Sequence, residues 1–182
     1  MNQQGSVLLI SLILLLILTI AGLAAINSAT LEEKITGNYK DHQIAFHAGE
    51  AALLEAERYV ENTALDLTTF TSSCNNGLCF SGANPENIGT CQSYTTAPWK
   101  DLGLWEDSGR VKEVSLTIEG VLIKARYIIE FRCYLPRETQ GPDPDITNTH
   151  DWARFFRITT LAGGGSDKSR VMLQSTYKKN NY

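Results

Sequence analysis

Charge is absent from the beginning of this sequence, where the first charged side chain is Glu32. From Val7 to Ile26 the residues are apolar, and Ser11 and Thr19 carry the only polar side chains. About 20 helical residues, rising roughly 1.5 Å each, span the hydrocarbon core of a bilayer. Lipid offers the backbone no hydrogen-bond partner, so such a run must be helical there. We therefore predict a membrane-spanning helix over residues 6–26.

Basic residues are also missing from the first five positions, MNQQG. A secretory signal peptide usually begins with basic residues and has a shorter apolar core, so both features disfavour a cleaved signal. Cleavage of such a signal between residues 25 and 29 is the alternative to a retained membrane helix.

No proline precedes Pro85, so nothing in the sequence forces the helix to stop at Ile26. Beyond that point, spacings of three, four and seven residues predict an amphipathic half over residues 27–62. Its apolar positions are Leu31, Ile35, Tyr39, His42, Phe46, Gly49, Leu53 and Val60. We predict a single helix from about Val7 to Val60, roughly 80 Å long, with residues 36–38 as the place where it would bend or fray.

A basic excess and catalytic motifs are missing as well. The net charge of −4 and the pI near 5.4 disfavour a nucleic-acid-binding protein. The sequence has no phosphate-binding glycine loop, nucleophile elbow or zinc-protease motif. The glycine run at 163–165 predicts a hairpin turn, and Asp143 with Asp145 falls short of a calcium cage. We therefore predict no enzymatic activity, no metal site and no cofactor.

Four cysteines, Cys74, Cys79, Cys91 and Cys133, lie beyond the apolar run. An even number in that position indicates an oxidising compartment and two disulfides, and the spacing does not match a zinc site. Three pairings are possible. We favour Cys74–Cys79, which would close a short Asn-Asn-Gly turn, together with Cys91–Cys133. Residues 63–110, rich in Thr, Ser, Asn and Gly, are predicted to form a disulfide-stapled loop region.

Alternating apolar and polar residues occupy the remainder of the chain, residues 111–182. One run covers Val114 to Ile118 and a second reaches Cys133; a third begins at Trp152 and a fourth ends near Tyr177. These runs predict two antiparallel hairpins whose strands have one polar face. The order of elements predicts an α+β fold, with a long N-terminal α-helix packed on a roughly four-stranded antiparallel β-sheet.

This arrangement resembles the type IV pilins, and more closely the PilX-type minor pilins. The resemblance rests on the start Gln4-Gly5-Ser6-Val7-Leu8-Leu9-Ile10 and on the block TLEEKITGNYKDHQIAFHAGEAALLEAE at residues 30–57. It implies that residues 1–5 are a prepilin leader. It also implies that a prepilin peptidase cuts between Gly5 and Ser6, and that Ser6 is then N-methylated.

Two positions depart from the family pattern. Pilins usually carry a basic residue before the cleaved glycine, where this sequence has Gln4. Most carry glutamate five residues into the mature chain, where this sequence has Ile10. In the family, that glutamate neutralises the N-terminal amine of a neighbouring subunit, so its absence implies a subunit at the initiating tip. The residues expected to serve the assembly helix are Ile10, Leu14, Gly22, Glu32, Glu33, Phe46 and Glu50.

The resemblance also implies a location and partners. The protein would sit in the inner membrane with a periplasmic C-terminal domain and then enter the pilus filament. Its implied partners are other minor pilins, the major pilin and a PilY-type tip adhesin. The alternatives are a minor pseudopilin of type II secretion and a permanently anchored periplasmic binding domain.

Overall fold

The computed structural model describes residues 4–80, 97–118, 120–141, 143–145, 147–166 and 168–180. Its first element is helix α1, Gln4–Asn62, which confirms the prediction of one uninterrupted helix. Residues 36–38, the predicted bend point, are helical throughout. The chain divides into two compact units, Met1–Lys40 and Asp41–Tyr182. The first unit contains the beginning of α1, and the second contains the rest of the chain.

Within the second unit, four long strands form the two predicted hairpins. Strand β2 (Lys112–Ile118) pairs antiparallel with β3 (Val121–Pro136), and β4 (Trp152–Gly163) pairs antiparallel with β5 (Arg170–Asn180). Strands β3 and β4 pair antiparallel between the hairpins, with a bulge between Phe131 and Cys133. The predicted α+β fold, a long N-terminal helix followed by this sheet, is confirmed.

A fifth strand makes the sheet mixed rather than purely antiparallel. Strand β1 (Leu78–Phe80) lies inside the region predicted to be a stapled loop and pairs parallel with residues 129–131 of β3. Three residues are too few to show an alternating pattern, and all three are buried. Sequence periodicity therefore had no signal for this strand.

The face of α1 that packs on the sheet lies mainly one residue before the predicted positions. Its fully buried residues are Ala45, Ala48, Ala52, Ala56 and Val60. Phe46, which we placed on the apolar face, is half-buried and lies edge-on to His47. Because alanine side chains are short, the helix axis can approach the strands closely.

The core under this face is aromatic at its centre. Phe131 of β3 and Phe156 of β4 are almost fully buried, with ring centroids 5.7 Å apart in an edge-to-face arrangement. Phe70 and Phe80 pack on them from the segment between α1 and β2. Full burial of each such ring contributes roughly 1.5–3 kcal/mol. This cluster joins the C-terminal end of α1 to the middle of the sheet.

The opposite face of the sheet is covered in part, which corrects the prediction of one polar face for each strand. The short helix α2 (Leu102–Glu106) packs Leu104 and Trp105 against Ile128, and all three are buried. Glu130 beside them is also fully buried. Polar alternation identified one face of β3 as exposed, but a segment distant in sequence covers its middle.

Candidate assembly surface

The apolar half of α1, residues 7–26, presents its side chains outward in the first unit. Every large apolar side chain in it is exposed, from 46% for Ile13 to 71% for Leu18. By length and composition, α1 is able to cross a membrane, and none of its most apolar window is buried. A surface of this size needs lipid or other protein helices around it.

Hydroxyl groups inside this apolar half are satisfied within the helix itself. Ser11 Oγ donates to the Leu8 carbonyl at 2.9 Å, and Thr19 Oγ1 donates to the Leu16 carbonyl at 2.7 Å. Such bonds to the preceding turn remove the need for water at those positions. The two polar residues are therefore compatible with burial in lipid or in a helix bundle.

The predicted assembly residues do not form one cluster. Ile10 and Leu14 are exposed in the apolar half, and a Cβ added at Gly22 would meet nothing within 4 Å. Glu32 and Glu33 are exposed in the first unit, whereas Phe46 and Glu50 belong to the second. The Glu50 carboxylate lies 3.2 Å from His47 Nδ1. Gly5 and Ser6 lie in the first turns of α1, and the proposed cleavage between them stays a prediction.

Where α1 enters the second unit, the turn between β4 and β5 holds it through one carboxylate. Asp41 accepts hydrogen bonds from Ser166, at 2.9 Å from its backbone N and 2.6 Å from its Oγ. Hydrogen bonds from Ser166, and further ones from Ser169, lower the pKa of Asp41 to about 2, so the group is ionised at neutral pH. We call Asp41 with Gly164, Ser166 and Ser169 the clasp.

Gly164 allows the clasp to close. A Cβ at this position would lie 2.5 to 2.7 Å from the Asp41 side chain and carbonyl oxygen. Only a residue without a side chain permits that approach. The sequence showed a glycine-rich turn here but gave no indication that it contacts α1, because the two are 125 residues apart.

Further along α1, polar contacts connect it to the edge strand β5. Ser175 donates to Glu57 at 2.8 Å, and the Tyr177 hydroxyl donates to Glu61 at 2.7 Å. The bond to Glu61 is the main cause that raises the pKa of Tyr177 to about 12. These contacts fix the second half of α1 against the last strand of the chain.

The C-terminal end of α1 is capped by a lysine from β5. Lys179 Nζ donates to the carbonyl oxygens of Val60, Glu61 and Thr63 at 2.7 to 2.9 Å. The last turn of α1 has no basic residue of its own. A helix C-terminus carries unpaired carbonyls and a partial negative charge. The Lys179 ammonium group donates hydrogen bonds to those carbonyls and offsets that charge. Burial lowers the pKa of Lys179, and Glu61 opposes that effect.

We expect Lys179→Met to lower the free energy of unfolding by about 2 kcal/mol, because three carbonyl groups lose a charged donor. Lys178→Met is the matched control, since Lys178 Nζ also donates to two carbonyls, those of Pro136 and Arg137, at an exposed position. We expect that change to cost less than about 1 kcal/mol. Urea unfolding of the full chain in detergent measures both, and equal losses would contradict the capping role.

A disulfide joins Cys74 and Cys79, the pair predicted to close the short turn before β1. Asn76 and Gly77 both adopt positive φ in this turn, at 48° and 79°. The turn is pinned further because Asn76 and Gly77 donate to the carbonyls of Gly109 and Arg110. Cys91 lies outside the described residues, so its pairing with Cys133 stays a prediction.

Among the described residues, no group of His, Cys, Asp and Glu side chains is placed to hold a metal ion. Asp145, one of the two carboxylates considered for calcium, accepts hydrogen bonds from the backbone N and Oγ1 of Thr147. These bonds organise the loop before β4. The structure gives the Asp145 carboxylate a local structural role.

Two family models match the chain and together extend over both units. The PilX N-terminal model matches residues 4–54, which include the apolar half of α1 and the clasp residue Asp41. The model described as type IV pilus assembly protein PilX C-term matches residues 75–179, more than half of the chain. The chain belongs to the PilX family of type IV pilus assembly proteins.

Neither the curated proteins nor the solved structures include a significant match to this PilX-family chain. Members of the family are structural components of pilus assembly. The absence of enzymatic activity in this chain stays a prediction. The exposed helix, which is long and apolar enough to cross a membrane, is therefore part of a pilus-associated protein.

Proposed function

We propose that this PilX-family chain is a minor pilin that helps to initiate type IV pilus assembly at the filament tip and supports pilus display. The apolar half of α1 would first hold the subunit in the inner membrane, with residues 41–182 in the periplasm. After prepilin peptidase cleaves between Gly5 and Ser6, the same helix would pack among neighbouring subunits. The exposed apolar surface of residues 7–26 is the observation that carries this proposal.

Ile10 supports a position at the tip. It is 54% exposed and uncharged, in a region of α1 that has no carboxylate before Glu32. A carboxylate in an apolar surrounding is costly and is kept where it has a partner. A subunit with no neighbour ahead of it has no amine to neutralise, so isoleucine at this position fits the first subunit of a filament. The proposed partners are other minor pilins, the major pilin and a PilY-type tip adhesin.

N-terminal sequencing of the chain purified from pili tests the processing step. We expect the mature protein to begin at N-methylated Ser6, and an intact Met1 would rule out a processed pilin. Antibody labelling of intact filaments tests position, and we expect label at one end of each filament. Label along the shaft would contradict the tip assignment while leaving pilin processing intact.

Replacing residues 7–26 with an unrelated apolar segment of equal length separates assembly from simple anchoring. The substituted chain should still insert in the membrane, because length and hydrophobicity are unchanged. We expect it to lose co-purification with pilus subunits, because packing between helices in lipid depends on the shape of their side chains. Unchanged co-purification would favour a permanently anchored binding domain.

A further inference from the structure

The outer face of the sheet, opposite α1, contains a cleft that the proposed function does not use. It has a volume of roughly 470 Å³ and lies between α2, β3 and the glycine turn that follows β4. Leu102 and Leu122, which line it, are 77% and 65% exposed. Exposed leucines that line a cleft are typical of a surface that contacts another protein. We call this region the outer cleft.

Positive charge dominates the described lining of the outer cleft. Lys124, Arg126 and Arg170 line it, against the single carboxylate of Glu106. Lys124 and Arg126 share Glu113 at 2.8 and 3.4 Å, so their charge is partly neutralised. Arg170 is exposed, and among the described residues its guanidinium group has no hydrogen bond or ion pair. Its guanidinium group is the one available to an incoming carboxylate.

A complementary surface lies on the first unit of the same chain. Leu31, Ile35 and Tyr39 are 60 to 65% exposed and recur every four residues, so they form one face of α1. At about 100° per residue, Glu32 falls on the edge of that face, next to Ile35 and Tyr39. Glu33 falls on the opposite side of the helix. We call Leu31, Glu32, Ile35 and Tyr39 the acidic face.

We propose that the outer cleft of one subunit binds the acidic face of a second copy of this chain. The Glu32 carboxylate would pair with Arg170, and the apolar side chains of the acidic face would cover Leu102 and Leu122. The contact would bring a negative group against a positive group and apolar surface against apolar surface. Because the two faces differ, the contact is heterologous rather than a symmetric pairing of identical faces. The inference rests on the proposed function, which brings subunits side by side in one membrane.

Two full-length copies with different affinity tags, produced in the same membrane and solubilised in mild detergent, allow a direct test. Capture of one tag reports how much of the other copy is bound. We expect Glu32→Arg or Arg170→Glu, placed in both copies, to reduce capture about tenfold, the effect of a close interfacial charge pair. The two changes combined in each chain reverse the pair and should restore capture.

The chain offers a matched control for each surface. Glu33→Arg makes the charge change of Glu32→Arg on the other side of α1. Lys168→Glu makes the charge change of Arg170→Glu at an exposed residue that is near Arg170 in the chain and does not line the outer cleft. Both should leave capture within about twofold of the unmodified chain, because exposed charges outside a contact are screened. Lys124→Glu is a second cleft variant and should weaken capture less than Arg170→Glu, because Glu113 already neutralises part of the Lys124 charge.

Three results would overturn the inference. They are undiminished capture by Glu32→Arg and Arg170→Glu, an equal loss with the two control variants, or no recovery in the charge-reversed double variant. Cleavage after Gly5 and co-purification with other pilus subunits are measured on the same samples. They report the proposed function separately, since neither requires the outer cleft.

Discussion

Replacing Glu130 with alanine is expected to lower the free energy of unfolding by about 3 kcal/mol. Glu130 is fully buried, and both of its carboxylate oxygens accept from Arg157, at 2.7 and 2.9 Å. The pair lies in the middle of the sheet because residues 130 and 157 are directly opposed in β3 and β4. Removing the carboxylate leaves a guanidinium group whose side chain is only 20% exposed. Trp99, whose ring lies 5.9 Å from the Arg157 guanidinium carbon, limits that loss without replacing the charge.

Glu113→Ala is the matched control for this prediction. Glu113 also bonds two cations across neighbouring strands, but these ion pairs are largely exposed. Exposed ion pairs contribute roughly 0–1 kcal/mol, so the control should lose less than about 1 kcal/mol. Tryptophan fluorescence during urea unfolding of the full chain measures both, because all three tryptophans lie in residues 41–182. Equal losses would show that burial of Glu130 is not the source of the effect.

The double variant Glu130→Leu with Arg157→Met separates two contributions. If the single change destabilises because the largely buried Arg157 charge has lost the Glu130 carboxylate, removing both charges should recover most of the lost stability. If the pair itself contributes the stability, the double variant should be no better than Glu130→Ala. We expect recovery to within about 1 kcal/mol of the unmodified chain.

Long periodic segments could be predicted from the sequence because their physical causes are local. No proline interrupts the helical pattern over nearly 60 residues. In each hairpin, the alternation of apolar and polar residues indicates one buried face. Those signals predicted α1 and the four long strands. They could not predict β1, whose three residues are too few for a pattern, or the alanine face of α1, whose side chains are not large.

Burial on the outer face of the sheet was harder to predict for a different reason. Glu130 alternates with apolar residues as a solvent-facing residue would, so the pattern by itself predicts an exposed side chain. Its burial depends on Arg157 from the next strand and on segments that cover the sheet from elsewhere. A charged residue in a sequence indicates an exposed side chain only when no other residue pairs with it inside the fold. The partner of Glu130, Arg157, is 27 positions away in the sequence.

The assembly surface could be predicted only where it is a continuous stretch of sequence. The apolar half of α1 and the Cys74–Cys79 turn are such stretches. The Lys179 cap, the clasp and the outer cleft each join residues far apart in the chain. Their residue types are ordinary for a surface, so their significance depends on tertiary contacts that a single sequence does not report.

Gly164→Ala is expected to lower the free energy of unfolding by about 2–3 kcal/mol, the upper range for overpacking a tight contact. The added Cβ would meet the Asp41 carboxylate and also its carbonyl oxygen, which belongs to the backbone of α1. A side chain could rotate away, but the helix backbone cannot move without opening the clasp. Hydrogen exchange should therefore rise at residues 41–48 as the hydrogen bonds from Ser166 are lost.

Gly165→Ala, the adjacent glycine, provides the strongest control because the expected effect has the opposite sign. Its added Cβ would lie 3.5 Å from Val121 and 3.8 Å from the Asp41 carboxylate, which are ordinary contacts. An alanine that fits without strain reduces the freedom of the unfolded chain and stabilises by about 0.4–1 kcal/mol. If both variants lose stability equally, flexibility of the turn would be the requirement. A loss confined to Gly164→Ala identifies the close approach to Asp41 as the feature that fixes α1 where it enters the second unit.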